Sequence, residues 1–327
     1  MTYQESRSLF EKIFSNSLSE NEIREVLVDL YNRGETAEEI AGAMEVMKNH
    51  SLKVVVDEEF RDKLFDNCGT GGDKSGSFNI STTVAFVLAG AGLYMAKHGN
   101  RSITSKSGSG DVLEKLGLNF NLSPIQHSLM IQEAKFTFMF APNHHPAMKQ
   151  IMPIRKSIPH RTIFNILGPL TSPADVKKQL IGVFDPSFIG KITSALKILG
   201  TKSATVVSSR DGLDEVAISD ITHFNTLKNG KISEGEIDPE AYGIKKAPFE
   251  AIKGGDADRN AEILLGVLDG SIKDAKRDIV LLNSAVALYT DGVARDIKEG
   301  IEIARETIDS GKAKRQFDLI INLSQKI

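Results

Sequence analysis

Cysteine is almost absent. Cys68 is the only one in 327 residues, so no internal disulfide can form and a reducing compartment is expected. A catalytic thiolate is the minor reading of a single thiol. Long apolar runs are missing too. Nothing approaches the roughly 20 residues of a membrane span, and the opening MTYQESRSLFEKIF has early acids and no apolar stretch, unlike a signal peptide. Neither sign of charge dominates: 40 Lys and Arg face 43 Asp and Glu, for a net charge of −3. No global basic field exists to attract nucleic acid or an acidic membrane, so an anionic ligand must be held by local devices. What remains, 41% hydrophobic and 25% charged, is an ordinary globular composition, enough for two domains. A cytoplasmic location is expected, with no nucleic acid and no membrane among the partners.

The first sixty residues read as helices. Ser19 with Glu22, and Thr36 with Glu39, have capping-box spacing ahead of helical apolar patterns, and Gly34 stands where a helix-ending glycine belongs. From about Leu64, short apolar runs alternate with helical patterns. Strands are expected over 93–96, 136–141, 180–184 and 204–208, and helices over 81–90, 187–199 and 257–268. Three more helices are expected near 273–289, 295–310 and 313–323. The alternation indicates an α/β domain with a mostly parallel central sheet. The proline-rich, basic stretch 151–173 interrupts it and reads as a crossing segment between domains. The expected division is a helical domain, 1–64, joined by a middle segment of about 155–180, and an α/β catalytic domain, 65–327.

The strongest local signal is DNCGTGGDKSGSFNISTT, residues 66–83. Gly69, Gly71, Gly72 and Gly76 let the main chain take positive φ and approach a ligand closely. Ser81-Thr82-Thr83 open a helix whose free N–H groups and dipole suit a phosphate or pyrophosphate. Standard motifs do not fit. A Walker A loop needs Lys where Ser77 stands, and a dinucleotide fingerprint needs glycine where Lys74 stands. The bland alternative is a structural turn before a capped helix.

A second loop, AKHGNRSITSKSGSGDVLEKLG (96–117), brings Lys97, His98, Arg101 and Lys106 together with many neutral donors. Two such loops after strands can meet at the carboxyl edge of one sheet; the alternative is an exposed basic loop. In SSRDGLDEVAISD (208–220), the adjacent acids Asp214 and Glu215 offer the hard oxygens that Mg²⁺ takes, although such pairs are commonly solvated. In 144–173, Arg155 can clamp a planar carboxylate with two parallel hydrogen bonds. His144 and His145 are adjacent, a poor spacing for two metal ligands on one helix face.

GTGGD (69–73), NIST (79–82), KHGNR (97–101), SKSGSGDVLEKLG (105–117), RTIFNILGPL (161–170) and GLDEV (212–216) occur in an order and spacing that resemble the anthranilate phosphoribosyltransferase family. The resemblance spans most of the chain. It departs at Gly110 and Lys115, where the family pattern SGSADVLEALG has alanines, and at Ser172, where GPLTNP is usual. None of these removes a charged or metal-binding group.

The resemblance implies a small helical domain packed on a larger α/β domain of the nucleoside phosphorylase/phosphoribosyltransferase type. It implies a homodimer formed through the helical part, and transfer of the 5-phosphoribosyl group of phosphoribosyl pyrophosphate (PRPP) to anthranilate in tryptophan biosynthesis. Gly69, Gly72 and Asp73 would line the pyrophosphate site, with Ser77, Asn79, Ile80, Ser81 and Thr82 beside it. The loop Lys97, His98, Gly99, Asn100, Arg101, Ser102, Ile103, Thr104 and Ser105 would close over PRPP together with Ser109. Anthranilate would lie near Gly69, Asn100 and Arg155, with His145 and Pro169 on its entry path. Ser81, Asp214 and Glu215 would hold Mg²⁺. No general base is evident. The rival readings are a pyrimidine nucleoside phosphorylase and a non-catalytic nucleic-acid-binding relative of the same fold.

Overall fold

The computed structural model describes residues 1–73, 75–102 and 106–327. Reciprocal caps start the first three helices: α1 (Tyr3–Phe14) on Thr2 and Glu5, α2 (Glu20–Arg33) on Ser19 and Glu22, α3 (Ala37–Asn49) on Thr36 and Glu39. Each box satisfies donors that the first turn otherwise leaves open. Gly34 ends α2 at φ +76°, where a side chain is strained. The short α4 (Glu58–Arg61) leads into β1 (Leu64–Asn67).

The α/β part then runs α5 (Ile80–Gly90), β2 (Tyr94–Gly99), α6 (Ser109–Lys115), α7 (Pro124–Ala134), β3 (Phe136–Phe140), α8 (Ala141–His144), α9 (Met148–Lys156), α10 (Phe164–Leu167) and β4 (Lys178–Gly182). It continues with α11 (Ser187–Ile198), β5 (Ser203–Ser209), β6 (Thr222–Lys228), β7 (Lys231–Ile237), α12 (Ala257–Leu268), α13 (Ala275–Asp291), α14 (Ile297–Asp309) and α15 (Lys312–Ser324). The expected parallel strands and late helices are present with shifted ends. Strand β2 runs on through Lys97, His98 and Gly99, expected as loop, because they pair in register with Phe138, Met139 and Phe140 of β3. Three strands were not anticipated: β1, β6 and β7.

The sheet order is β3-β2-β1-β4-β5-β6-β7, parallel from β3 to β5 and antiparallel beyond. Side chains alternate between its faces, as the two-residue period requires. Phe65, Met95, Phe136, Leu180 and Val207 join the larger core with α5, α12, α13 and α15. On the other face, Ile181, Val183, Ala204 and Val206 pack with α1, α2, α3, α9 and α10. Phe164 anchors the latter group, with its ring edge-on to Phe10 and Phe14 at 6.1 Å. The chain leaves β1 toward β2 on one side and β4 toward β5 on the other. A crevice therefore opens beyond the carboxyl ends of β1 and β4, the usual ligand position in open α/β sheets.

Candidate active site

Strand β1 delivers the glycine turn into that crevice, and two contacts stitch it to the end of β4. The Thr70 N–H donates to the Gly182 carbonyl at 2.9 Å, and the Phe184 N–H donates to Thr70 Oγ1 at 3.2 Å. From the far side, the segment after β5 brings Asp214, whose carboxylate accepts the Gly71 N–H at 2.6 Å. The approach is close enough that only glycine fits at two places. A Cβ on Gly69 would stand 2.8 Å from the Asp214 carboxylate, and one on Gly182 would overlap the Asp214 carbonyl.

Asp214 is buried, and Glu215 lies beside it with the Ser81 N–H at the start of α5 as a partner. Both carboxyls are pushed up from the usual range. Burial is the largest cause for each, with repulsion from Asp73 acting on Asp214 and repulsion from Asp214 on Glu215. Clustered acids that resist ionisation together are what a divalent cation relieves. No group of three or more His, Cys, Asp or Glu among the described residues forms a ready metal cage. Mg²⁺ fits a sparser donor set, because it keeps waters and takes substrate phosphate oxygens alongside one or two carboxylates.

Lys97 comes from β2, is 1% exposed, and points across β1. Its ammonium donates to the Asn67 carbonyl at 2.9 Å and lies 3.4 Å from Asn67 Oδ1 and from Ser81 Oγ. Asn67 Nδ2 donates in turn to the Ser81 carbonyl at 2.7 Å. The charge of Lys97 offsets part of the burial cost of Glu215 and of the neighbouring Asp66, whose carboxyl is pushed up to about 7. The Cys68 thiol is pushed up to about 12, first by burial and then by Asp66, so it is not a thiolate at neutral pH.

The turn's far end is held by a segment that the sequence reading passed over. Ser77 bridges Lys253, and the Gly254 N–H donates to the Gly76 carbonyl at 2.9 Å. Asn260 of α12 donates to Asn79 Oδ1 at 2.9 Å, accepts the Gly255 N–H at 2.8 Å, and leaves Asn79 Nδ2 to donate to the Ser107 carbonyl at 3.2 Å. Asn79 thus joins the glycine turn to the second loop. Thr82 is buried behind the turn, and the Ile80 side chain belongs to the core.

In the second loop, the Asn100 carbonyl accepts from Ser109 Oγ and from the Gly110 N–H, and the Asp111 carboxylate accepts from the Ser102 and Gly108 N–H groups. Gly99 packs closely against Ser109 and Phe138. Arg101 turns away, to Glu114 at 2.7 Å and over the Phe140 ring. Ile103, Thr104 and Ser105 lie outside the described residues.

Arg155 sits on α9, in the helical layer. It is largely buried, its guanidinium is 5.5 Å from the Phe164 ring centre, and burial lowers its pKa. No carboxylate pairs with it among the described residues. The His98 and His145 rings are 5.3 Å apart, and burial holds both imidazoles neutral, His145 near 4. The Pro169 carbonyl accepts from Gln179 of β4 at 3.0 Å.

Comparison with known proteins gives one consistent picture. Residues 1–51 match the helical bundle domain of a glycosyl transferase family, and residues 61–314 match its a/b domain. The anthranilate phosphoribosyltransferases of Xanthobacter autotrophicus and Chromobacterium violaceum are each 46% identical, covering 100% and 99% of this chain and 94% of their own. The crystal structure of the Thermus thermophilus enzyme superposes with a TM-score of 0.92 at 34% identity, over 99% of this chain and 96% of its own. The Saccharomyces cerevisiae enzyme in complex with PRPP and Mg gives 0.89 at 27% identity, over 100% and 94%.

Proposed function

The chain belongs to the anthranilate phosphoribosyltransferase family, and from that premise we propose how its site works. The reaction transfers the 5-phosphoribosyl group from PRPP to anthranilate, giving N-(5′-phosphoribosyl)anthranilate and pyrophosphate, a step of tryptophan biosynthesis. The observation that carries the site reading is Asp214, bound to the Gly71 N–H at the switch point of the sheet.

The amine of anthranilate is a weak nucleophile because its lone pair is shared with the ring. The barrier therefore falls mainly on the leaving group and on positioning. As the new C–N bond forms at the anomeric carbon, the C–O bond to pyrophosphate breaks, pyrophosphate keeps the electron pair, and the amine's proton passes to solvent water. The Gly72 and Asp73 amides of the turn face the departing charge, with Lys97 beneath them. Ser77, Asn79, Ile80, Ser81, Thr82, the loop from His98 to Ser105 and Ser109 would complete the PRPP site. Ser81, Asp214 and Glu215 are the residues that would hold Mg²⁺, which when bound supplies Lewis-acid charge to the phosphate oxygens. Arg155 carries a desolvated charge with no acid of its own, which supports a bidentate grip on the anthranilate carboxylate. Gly69 and Asn100 line that end, and His145 and Pro169 the approach. The buried, neutral imidazoles offer no strong base, in keeping with chemistry driven by the leaving group.

We place this function in a cytoplasmic homodimer joined through the helical part, residues 1–64 with a middle segment of about 155–180, and in an α/β unit, 65–327. Sedimentation equilibrium tests the dimer. The family match disfavours phosphorolysis and nucleic-acid binding. The direct test is to mix pure protein with anthranilate, PRPP and MgCl₂ and follow anthranilate fluorescence. Loss of signal that requires all three is expected, and a steady signal at every protein concentration would reject the assignment.

A further inference from the structure

A charged side chain at the crevice, Arg161, takes no part in the chemistry proposed above. Arg161 lies between α9 and α10, outside every role assigned above. Its Nη2 donates to the Gly72 carbonyl at 2.5 Å. The guanidinium carbon lies over the Phe184 ring, 3.5 Å from its centre. Phe184 is itself fixed, since its N–H donates to Thr70 Oγ1 within the same turn. Behind Arg161, its own carbonyl meets His160 Nδ1 at 2.8 Å, and the His160 ring stacks on Tyr31 of α2 at 3.8 Å. A chain of contacts thus runs from the helical layer to one carbonyl of the glycine turn.

That carbonyl matters because of its partner across the peptide. In a trans peptide the C=O of one residue and the N–H of the next point in opposite directions. Gly72 has φ +80°, and a peptide beside such a glycine is free to flip unless something holds it. A guanidinium on the Gly72 carbonyl fixes the sense of the Gly72–Asp73 peptide and turns the Asp73 N–H away from Arg161.

We propose that Arg161, braced on Phe184, is a positioning residue that holds the Gly72–Asp73 peptide with its N–H presented to the pyrophosphate of PRPP. This rests on the function proposed above. Arg161 works through the peptide, not by contact with the substrate. A charge-assisted hydrogen bond of this kind predicts that Arg161→Ala raises the KM for PRPP about tenfold. The KM for anthranilate should move far less.

The test combines steady-state kinetics of Arg161→Ala, Arg161→Lys, Phe184→Leu and the Arg161→Ala/Phe184→Leu pair with thermal shifts produced by magnesium pyrophosphate. Arg161→Lys keeps a charged donor and should recover part of the PRPP loss; it also carries the test if the alanine variant fails to fold. Phe184→Leu leaves every charge in place, so a role as simple electrostatic attraction predicts no change, whereas the bracing role predicts a KM for PRPP raised by about threefold. The double variant should be no worse than Arg161→Ala. Equal rises in both KM values, an unchanged KM for PRPP in Arg161→Ala, or additive effects in the pair would overturn the proposal. The two readings fail separately. Wild-type protein inert toward anthranilate, yet stabilised by magnesium pyrophosphate only when Arg161 is present, would sink the function and keep the clamp. Normal turnover by Arg161→Ala at low PRPP would do the reverse.

Discussion

Two glycines flank the Asp214–Glu215 segment, and replacing each with alanine separates crowding from backbone strain. At Gly182 the backbone is ordinary extended strand, but an added Cβ would overlap the Asp214 carbonyl, and real Cβ contacts stay beyond 3.0 Å. The segment carrying both carboxylates must then retreat by roughly 1.5 Å, an overpacking that costs about 1–3 kcal/mol of stability. Displacement of catalytic groups on that scale costs about a hundredfold in rate. Gly212, on the same segment, has φ +93° and nothing within 4 Å of the added atom. Alanine there costs about 1–2 kcal/mol in strain without pushing on Asp214. Gly182→Ala should therefore lose about a hundredfold in magnesium-dependent kcat, and Gly212→Ala much less, at similar cost in melting temperature. Fluorescence kinetics across a magnesium titration, paired with thermal melts, read both quantities. Near-normal turnover and magnesium activation in Gly182→Ala would refute the claim that Asp214 is held in place by contact with the end of β4.

Other perturbations probe the rest of the site. Asp214→Asn with Glu215→Gln keeps shape and removes charge, so magnesium-dependent turnover should fall by about a thousandfold; full activity at millimolar Mg²⁺ would end their metal role. Arg155→Ala should raise the KM for anthranilate about thirtyfold, and an effect confined to PRPP would contradict its assignment. The pH dependence needs a variant for comparison, because Asp66, Asp214 and Glu215, with raised pKa values, favour the folded state more as pH falls. His127 works in the opposite sense. Burial lowers it to about 4, so the unfolded chain takes up its proton first, and its contribution is complete above about pH 6.5 and lost as pH falls toward 4. The melting-temperature advantage of wild type over His127→Phe should shrink by a few degrees between pH 7 and 4.5; a constant difference would exclude it.

Helix starts were legible because capping is local: Ser19 with Glu22 and Thr36 with Glu39 act over three residues, and both boxes form. The glycine turn and the Asp214–Glu215 pair stand out for the same reason, as runs of adjacent residues. Strand β1 was not legible, because four residues buried on both faces show no alternation. The β6–β7 hairpin carried a readable signal that went unused, Asn229-Gly230, where both residues take positive φ. The extent of β2 depended on pairing with β3, so Lys97 and His98 looked like loop. Gly182, Asn260 and Arg161 stand out only once the fold brings them to the turn from over eighty positions away, as Arg161 is from Gly72. Asn67, next to Cys68 in the chain, gains its meaning from Lys97 and Ser81.

One diphosphate should sit between the Gly72–Asp73 amides of the glycine turn and the acids that follow β5. A crystal structure of the complex with PRPP and Mg²⁺ tests it directly. Pyrophosphate oxygens are expected within hydrogen-bonding distance of the Gly72–Asp73 backbone, with a metal ion bridging them to Asp214 or Glu215. Well-ordered PRPP with its diphosphate against another surface, and those carboxylates free of metal, would contradict it.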